Sequence, residues 1–166
     1  MKSPLVVYLY HERQYLGLCA QHAINALLQW PAVSRSDLER IAKRFDDEET
    51  RLLTETTDDS TTLSSTKSKT PPAKSNDEQF DELVDGTRAG NSDEFGNFSS
   101  QVVIEALRER KFECRQLNGV EYAKSDLARD HRAFVVNHHT HWICIRNVYG
   151  VWYDFNSFLA RPLPVD

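Results

Sequence analysis

Three short β-forming runs near the C-terminus constrain the fold of this chain most. Residues 133–137, 141–147 and 151–155 are rich in β-branched and aromatic side chains, which suit a pleated, half-buried surface. His138, His139 and Thr140 join the first pair, and Val148, Tyr149 and Gly150 join the second. Joins this short are of hairpin length. The three runs therefore predict an antiparallel meander, with residues 5–10 and 112–117 as further strand candidates.

Helices supply the other layer. Between Gln14 and Gln29, Ala20, Ala23, Ile24, Leu27 and Leu28 recur at the spacing of a helix buried along one face. Gly17 ends the lead-in, and the Trp30-Pro31 pair ends the helix. Ser34 with Asp37, or Ser36 with Glu39, offers a cap for a second helix carrying Leu38, Ile41, Ala42, Phe45, Leu52 and Leu53. Its acidic run at 46–49 predicts a solvated face. Ser99 or Ser100 caps a further helix through Arg110 that buries Val103, Ala106 and Leu107.

Of the 23 residues from Thr54 to Asn76, 12 are Ser or Thr and none is aromatic. Such a segment buries too little apolar surface to offset its ordering entropy, so it is expected to be a disordered insertion within one domain. Phe80, Leu83 and Val84 form an apolar stripe on a short helix closed by Gly86. With the second helix this predicts a helical arm carrying the insertion at its tip.

At 166 residues and 40% hydrophobic content the chain is expected to be one soluble domain, residues 1–166. A net charge of −5 argues against nucleic acid and for a partner with a basic face. Cys19, Cys114 and Cys144 form no CxxC pair, which fits a reducing compartment, cytoplasm or nucleus. The apolar run at 4–10 is short for a signal peptide, and no segment reaches membrane-span length.

Cys19 lies in the first turn of its helix, where unpaired N–H groups and the helix dipole favour a thiolate. The plain alternative is a small buried core residue. A nucleophilic cysteine needs a base, and a third group to orient that base. His22, at i+3, can approach the thiol from the same helix, but leaves little cleft for a substrate between them. His141 opens a strand, and antiparallel pairing brings Asn156 back beside it. Asp154 projects to the same face as Asn156 and is a rival orienter. Gln14, five residues before Cys19, is either an ordinary loop residue or a donor to the oxyanion of acyl transfer. A third reading joins His131, His138, His139, His141 and Cys144 into a metal site, but no HExxH or CxxC supports it. No cofactor is called for.

The segments YHERQ at 10–14, LCAQHAINALLQ at 18–29, GNFSSQVVIEAL at 96–107, HWICIR at 141–146 and WYDFNS at 152–157 lie in order along the chain. As a set they resemble the Josephin domain family of papain-like cysteine proteases, which are deubiquitinating enzymes. The resemblance implies an α+β fold, an antiparallel sheet packed against helices that include the nucleophile helix. Carried onto this sequence, it implies Cys19 as nucleophile, His141 as base, Asn156 as orienter and Gln14 as oxyanion donor, with His22 non-catalytic. It implies action on ubiquitin or polyubiquitin, with Trp142 walling the groove for the ubiquitin C-terminus and the helical arm gripping ubiquitin; the chain is expected to be a monomer, with no nucleic-acid or membrane partner. A ubiquitin-binding module without turnover is the alternative. The family usually continues beyond the asparagine strand, whereas this sequence ends ten residues after Asn156. A missing strand there would leave an exposed sheet edge.

Overall fold

A computed structural model of the chain describes residues 6–57, 90–92, 96–117 and 131–165. Among these residues three helices, α1 (Cys19–Leu28), α2 (Arg35–Thr57) and α3 (Ser100–Glu109), precede four strands, β1 (Ala133–His138), β2 (His141–Val148), β3 (Val151–Asp154) and β4 (Leu163–Pro164). The strands form one antiparallel sheet in the order β1-β2-β3-β4. The architecture is α+β.

The meander follows the two predicted hairpins. His139 and Thr140, with φ of 47° and 64°, make a two-residue turn between β1 and β2. Positive φ at both central residues gives the turn the twist that flanking strands require. Tyr149 and Gly150 repeat this at the next hairpin, and Asn147 Oδ1 accepts the Gly150 N–H at 2.9 Å. Val135 pairs with Cys144, and Ile145 with Asp154. On β2, Trp142 and Cys144 are buried while residues on either side are half-buried, so this is the face on which α1 packs.

Helix boundaries follow local chemistry. The backbone N–H and hydroxyl of Ser34 donate to Asp37 Oδ2 at 2.9 and 2.7 Å, and the Asp37 N–H returns to Ser34 Oγ at 3.2 Å. This reciprocal box starts α2. Ser99 caps α3 by accepting the Val102 N–H. Gln29 closes α1 in the left-handed conformation, φ 64°, just before Trp30-Pro31. Ile24, Leu38, Ile41, Val102, Leu107, Cys144 and Phe155 form a continuous core between the sheet and the helices. Leu38, Ile41 and Ala42 bury the first turns of α2, whereas Leu52 and Leu53 at its far end are exposed.

Several expectations are corrected. Residues 112–117 form no strand of the described sheet, and 112–116 are exposed. Residues 6–10 also stand outside the sheet. Gln29 serves Tyr10 as a side-chain substitute for a strand partner, its Oε1 accepting the Tyr10 N–H at 3.0 Å and its Nε2 donating to the Tyr10 carbonyl at 3.3 Å. The sheet also runs one strand beyond the predicted meander, with β4 pairing to β3 at Tyr153 and Asp154. Residues 54–57 continue α2. The remainder of the predicted insertion, and the short helix expected around 80–84, lie outside the described residues.

Candidate active site

Cys19 is the first residue of α1. Leu18 stands at its N-cap and supplies no side-chain hydrogen bond to the first-turn N–H groups. The approach to this end is tight. Gly96 has φ of 86°, and a Cβ placed on it would come within 3.2 Å of Leu18 Cδ2. A residue with a side chain there would push on the segment that delivers Cys19. Cys19 is 2% exposed, and its Sγ lies 4.0 Å from the carbonyl oxygen of Thr140. Thr140 immediately precedes His141, so α1 and the β1-β2 turn bring these two candidate residues to one end of the sheet.

His141 Nε2 and Asn156 Oδ1 are 2.9 Å apart. The backbone N–H of Phe158 also donates to Asn156 Oδ1, at 3.0 Å, which fixes that amide atom as the oxygen. An amide oxygen only accepts, so Nε2 of His141 must carry a proton. In the neutral ring Nδ1 is then left with the lone pair. Such a ring can take a proton at Nδ1 while Asn156 holds its other edge.

Asp154, the rival orienter, is used differently. Its Oδ1 accepts the backbone N–H of Asn156 at 2.7 Å, bracing the asparagine from behind. The chain then turns, with the Leu159 N–H donating to the Asn156 carbonyl at 2.9 Å. Each residue of this turn reaches a different part of the site. The buried Ser157 donates its hydroxyl to Gln14 Oε1 at 2.9 Å, and its carbonyl accepts the Gln14 N–H at 2.8 Å. The Phe158 ring stacks on the His141 imidazole, and the Leu159 carbonyl accepts from His11 Nε2 at 2.9 Å. Gln14 Nε2 donates to the Leu16 carbonyl at 2.7 Å, which engages one of its two N–H bonds and leaves the second.

His22 belongs to another cluster. Its Nδ1 lies 2.6 Å from Glu12 Oε2, and its buried Nε2 meets no hydrogen-bond partner among the described residues, the Cys19 thiol included. Glu12 also accepts from Tyr10 Oη and, at 3.3 Å, from Asn25 Nδ2. Asn25 in turn grips both the N–H and the carbonyl of Val33. Burial works to raise the Glu12 carboxyl, but the bonds from Tyr10, His22 and Asn25 prevail and hold it below the usual range. Burial, with Glu12 beside it, pushes the Tyr10 hydroxyl up to about 12. This cluster ties the segment bearing Gln14 to the helix bearing Cys19.

Trp142 was expected to wall the groove for the ubiquitin C-terminus. It is 6% exposed, packed into the core, and its indole Nε1–H donates to the Phe98 carbonyl at 2.9 Å. Strand alternation turns it away from the side of the sheet that His141 occupies. Cys144 is equally buried, and burial pushes its thiol up to about 12, which keeps it protonated. Among the described residues no three His, Cys, Asp or Glu side chains gather as metal ligands. Reasoning from the sequence missed Glu12, Gly96, Ser157 and Phe158. All four lie in or beside the quoted segments, but nothing in periodicity or spacing singles them out.

Residues 14–166 match the sequence pattern of the family described as Josephin. Ataxin-3 of Homo sapiens is 31% identical over 158 residues, covering 93% of this chain and 38% of that protein. The ataxin-3 homolog of Arabidopsis thaliana is 34% identical over 156 residues, 93% of this chain and 49% of that protein. The homolog of Caenorhabditis elegans is 28% identical over 157 residues, covering 93% and 41%. The chain thus spans less than half the length of each of these relatives.

Proposed function

The chain belongs to the Josephin family, and from that membership we propose that it is a thiol-dependent deubiquitinase, hydrolysing the isopeptide or peptide bond after the C-terminal glycine of ubiquitin. The observation that carries this reading is the His141–Asn156 hydrogen bond beside Cys19, whose Sγ lies 4.0 Å from the carbonyl of the residue preceding that histidine.

In this mechanism Nδ1 of His141 takes the thiol proton, and the Cys19 sulfur attacks the carbonyl carbon of the terminal glycine. The oxyanion that forms is met by the second N–H of the Gln14 side chain and by the N-terminal end of α1. Protonated His141 then gives its proton to the departing lysine amine, leaving a thioester. Water, deprotonated by the same imidazole, attacks the thioester and releases the ubiquitin carboxylate and the free thiol. Asn156 keeps the Nε2–H tautomer throughout, so that Nδ1 is always the atom that carries the moving proton.

A ubiquitin probe with an electrophile at its C-terminus tests the reading. Labelling of Cys19 is expected in wild type and is lost in Cys19→Ala, and folded wild-type protein that resists the probe would overturn it. A second reading, a ubiquitin-binding module with weak or no turnover, is favoured by the 2% exposure of Cys19 and by the Gln14 bond to Leu16. Binding that survives Cys19→Ala, with no turnover by wild type, is its signature.

A further inference from the structure

The Phe158 ring lies on the His141 imidazole with 4.1 Å between ring centroids and 5° between planes. The rings are therefore parallel and in face contact, closer than the usual range for aromatic pairs. Phe158 is 62% exposed. An exposed aromatic on a turn gains little from burial, so its placement calls for another reason. The same residue donates its backbone N–H to Asn156 Oδ1 at 3.0 Å. One residue thus touches both the imidazole and the amide that orients it.

A single hydrogen bond to Nε2 fixes one edge of the imidazole but lets the ring tilt about that bond. A flat neighbour on its face removes this freedom and keeps water off one side of the Nε2–H···Oδ1 bond. We propose that Phe158 is a positioning residue for the thiol chemistry, a face-on support that holds His141 in the plane of Asn156 with Nδ1 directed to the proton it must carry. The proposal rests on the deubiquitinase reading only for the identity of the substrate. Reactivity of Cys19 toward a small alkylating agent depends on the same imidazole and involves no ubiquitin.

Three measurements on wild type, Phe158→Leu and Phe158→Tyr test it. With a ubiquitin amide substrate, Phe158→Leu is expected to lower kcat by roughly three- to tenfold at unchanged KM, the range an aromatic pair contributes. Iodoacetamide alkylation of Cys19, followed by peptide mapping to separate it from Cys114, is expected to slow by a similar factor. The His141 ring protons, identified by their loss in His141→Gln, are expected to lose the upfield ring-current shift in the leucine variant. Tyrosine, flat like phenylalanine, is expected to restore all three. A rise in KM with kcat and alkylation unchanged would make Phe158 a substrate contact and overturn the proposal, as would equal alkylation by all three proteins. If wild type ignores ubiquitin substrates yet Cys19 alkylation still depends on Phe158, the deubiquitinase reading fails and the positioning role stands.

Discussion

Ser157 holds Gln14 at two points, donating its hydroxyl to the side-chain oxygen at 2.9 Å and accepting the backbone N–H at 2.8 Å. The residue beside the candidate orienter of the base thereby fixes the candidate oxyanion donor, 143 positions away in sequence. Ser157→Ala removes the side-chain bond and keeps the backbone one. Loss of one buried neutral hydrogen bond costs about 1 kcal/mol. If Gln14 serves the oxyanion, kcat for a ubiquitin amide falls several-fold with KM unchanged, and steady-state kinetics checks the split.

Asn156→Ala frees the imidazole to rotate and to change tautomer. Activity is expected to fall by about a hundredfold, the lower end of what acid–base catalysis contributes. Asn156→Asp keeps an acceptor oxygen for His141 and is expected to lose less. Asp154→Ala, which removes only the brace behind Asn156, is expected to cost a few-fold. Rates on one fluorogenic ubiquitin substrate rank the three, and an Asp154 variant as damaged as Asn156→Ala would contradict the division of labour.

Glu12 gives the fold an acid-sensitive joint. Its carboxyl is lowered from 4.5 by the bonds from Tyr10, His22 and Asn25, which prevail over burial. A lowered folded-state value stabilises the protein above the unfolded-state pKa, and that stability is lost as pH falls through the folded value. Glu12→Gln is expected to cost about 1–3 kcal/mol at neutral pH. Below about pH 4 the difference should narrow, because acid neutralises the wild-type carboxylate as well. Thermal melts of both proteins across this range check it, and a constant difference into strong acid would exclude the carboxylate charge as the source.

Ser34 and Asp37 start α2 through their reciprocal bonds. Ser34→Ala is expected to destabilise the protein by about 1 kcal/mol. Urea unfolding should show a lower midpoint with the same slope, and α1 and the sheet should keep their native circular dichroism.

Much of this architecture was legible in the sequence because its causes are local. The apolar spacing around Ile24 and around Ala106, the caps at Ser34 and Ser99, and the short joins at Thr140 and Gly150 each act within a few residues, and each element formed where those signals fall. The nearness of His141 and Asn156 was also legible, since a tight antiparallel turn leaves the two strand ends no other arrangement. Residues 5–10 and 112–117 misled because β-propensity reports a fit to a pleated surface and says nothing of whether a partner strand is present. Leu163 and Pro164 went unnoticed because two residues carry no alternation.

Sequence by itself determined the helix starts, the meander and the set of residue types able to carry thiol chemistry. Only the tertiary structure decided how each is held. Trp142 went into the core because its neighbour His141 takes the other side of the strand. His22 turned to Glu12, Ser157 reached back to Gln14, and Phe158 lay flat on His141. Those pairings are contacts between distant segments, set by packing geometry after the elements have formed, and no local pattern encodes a distance across the fold.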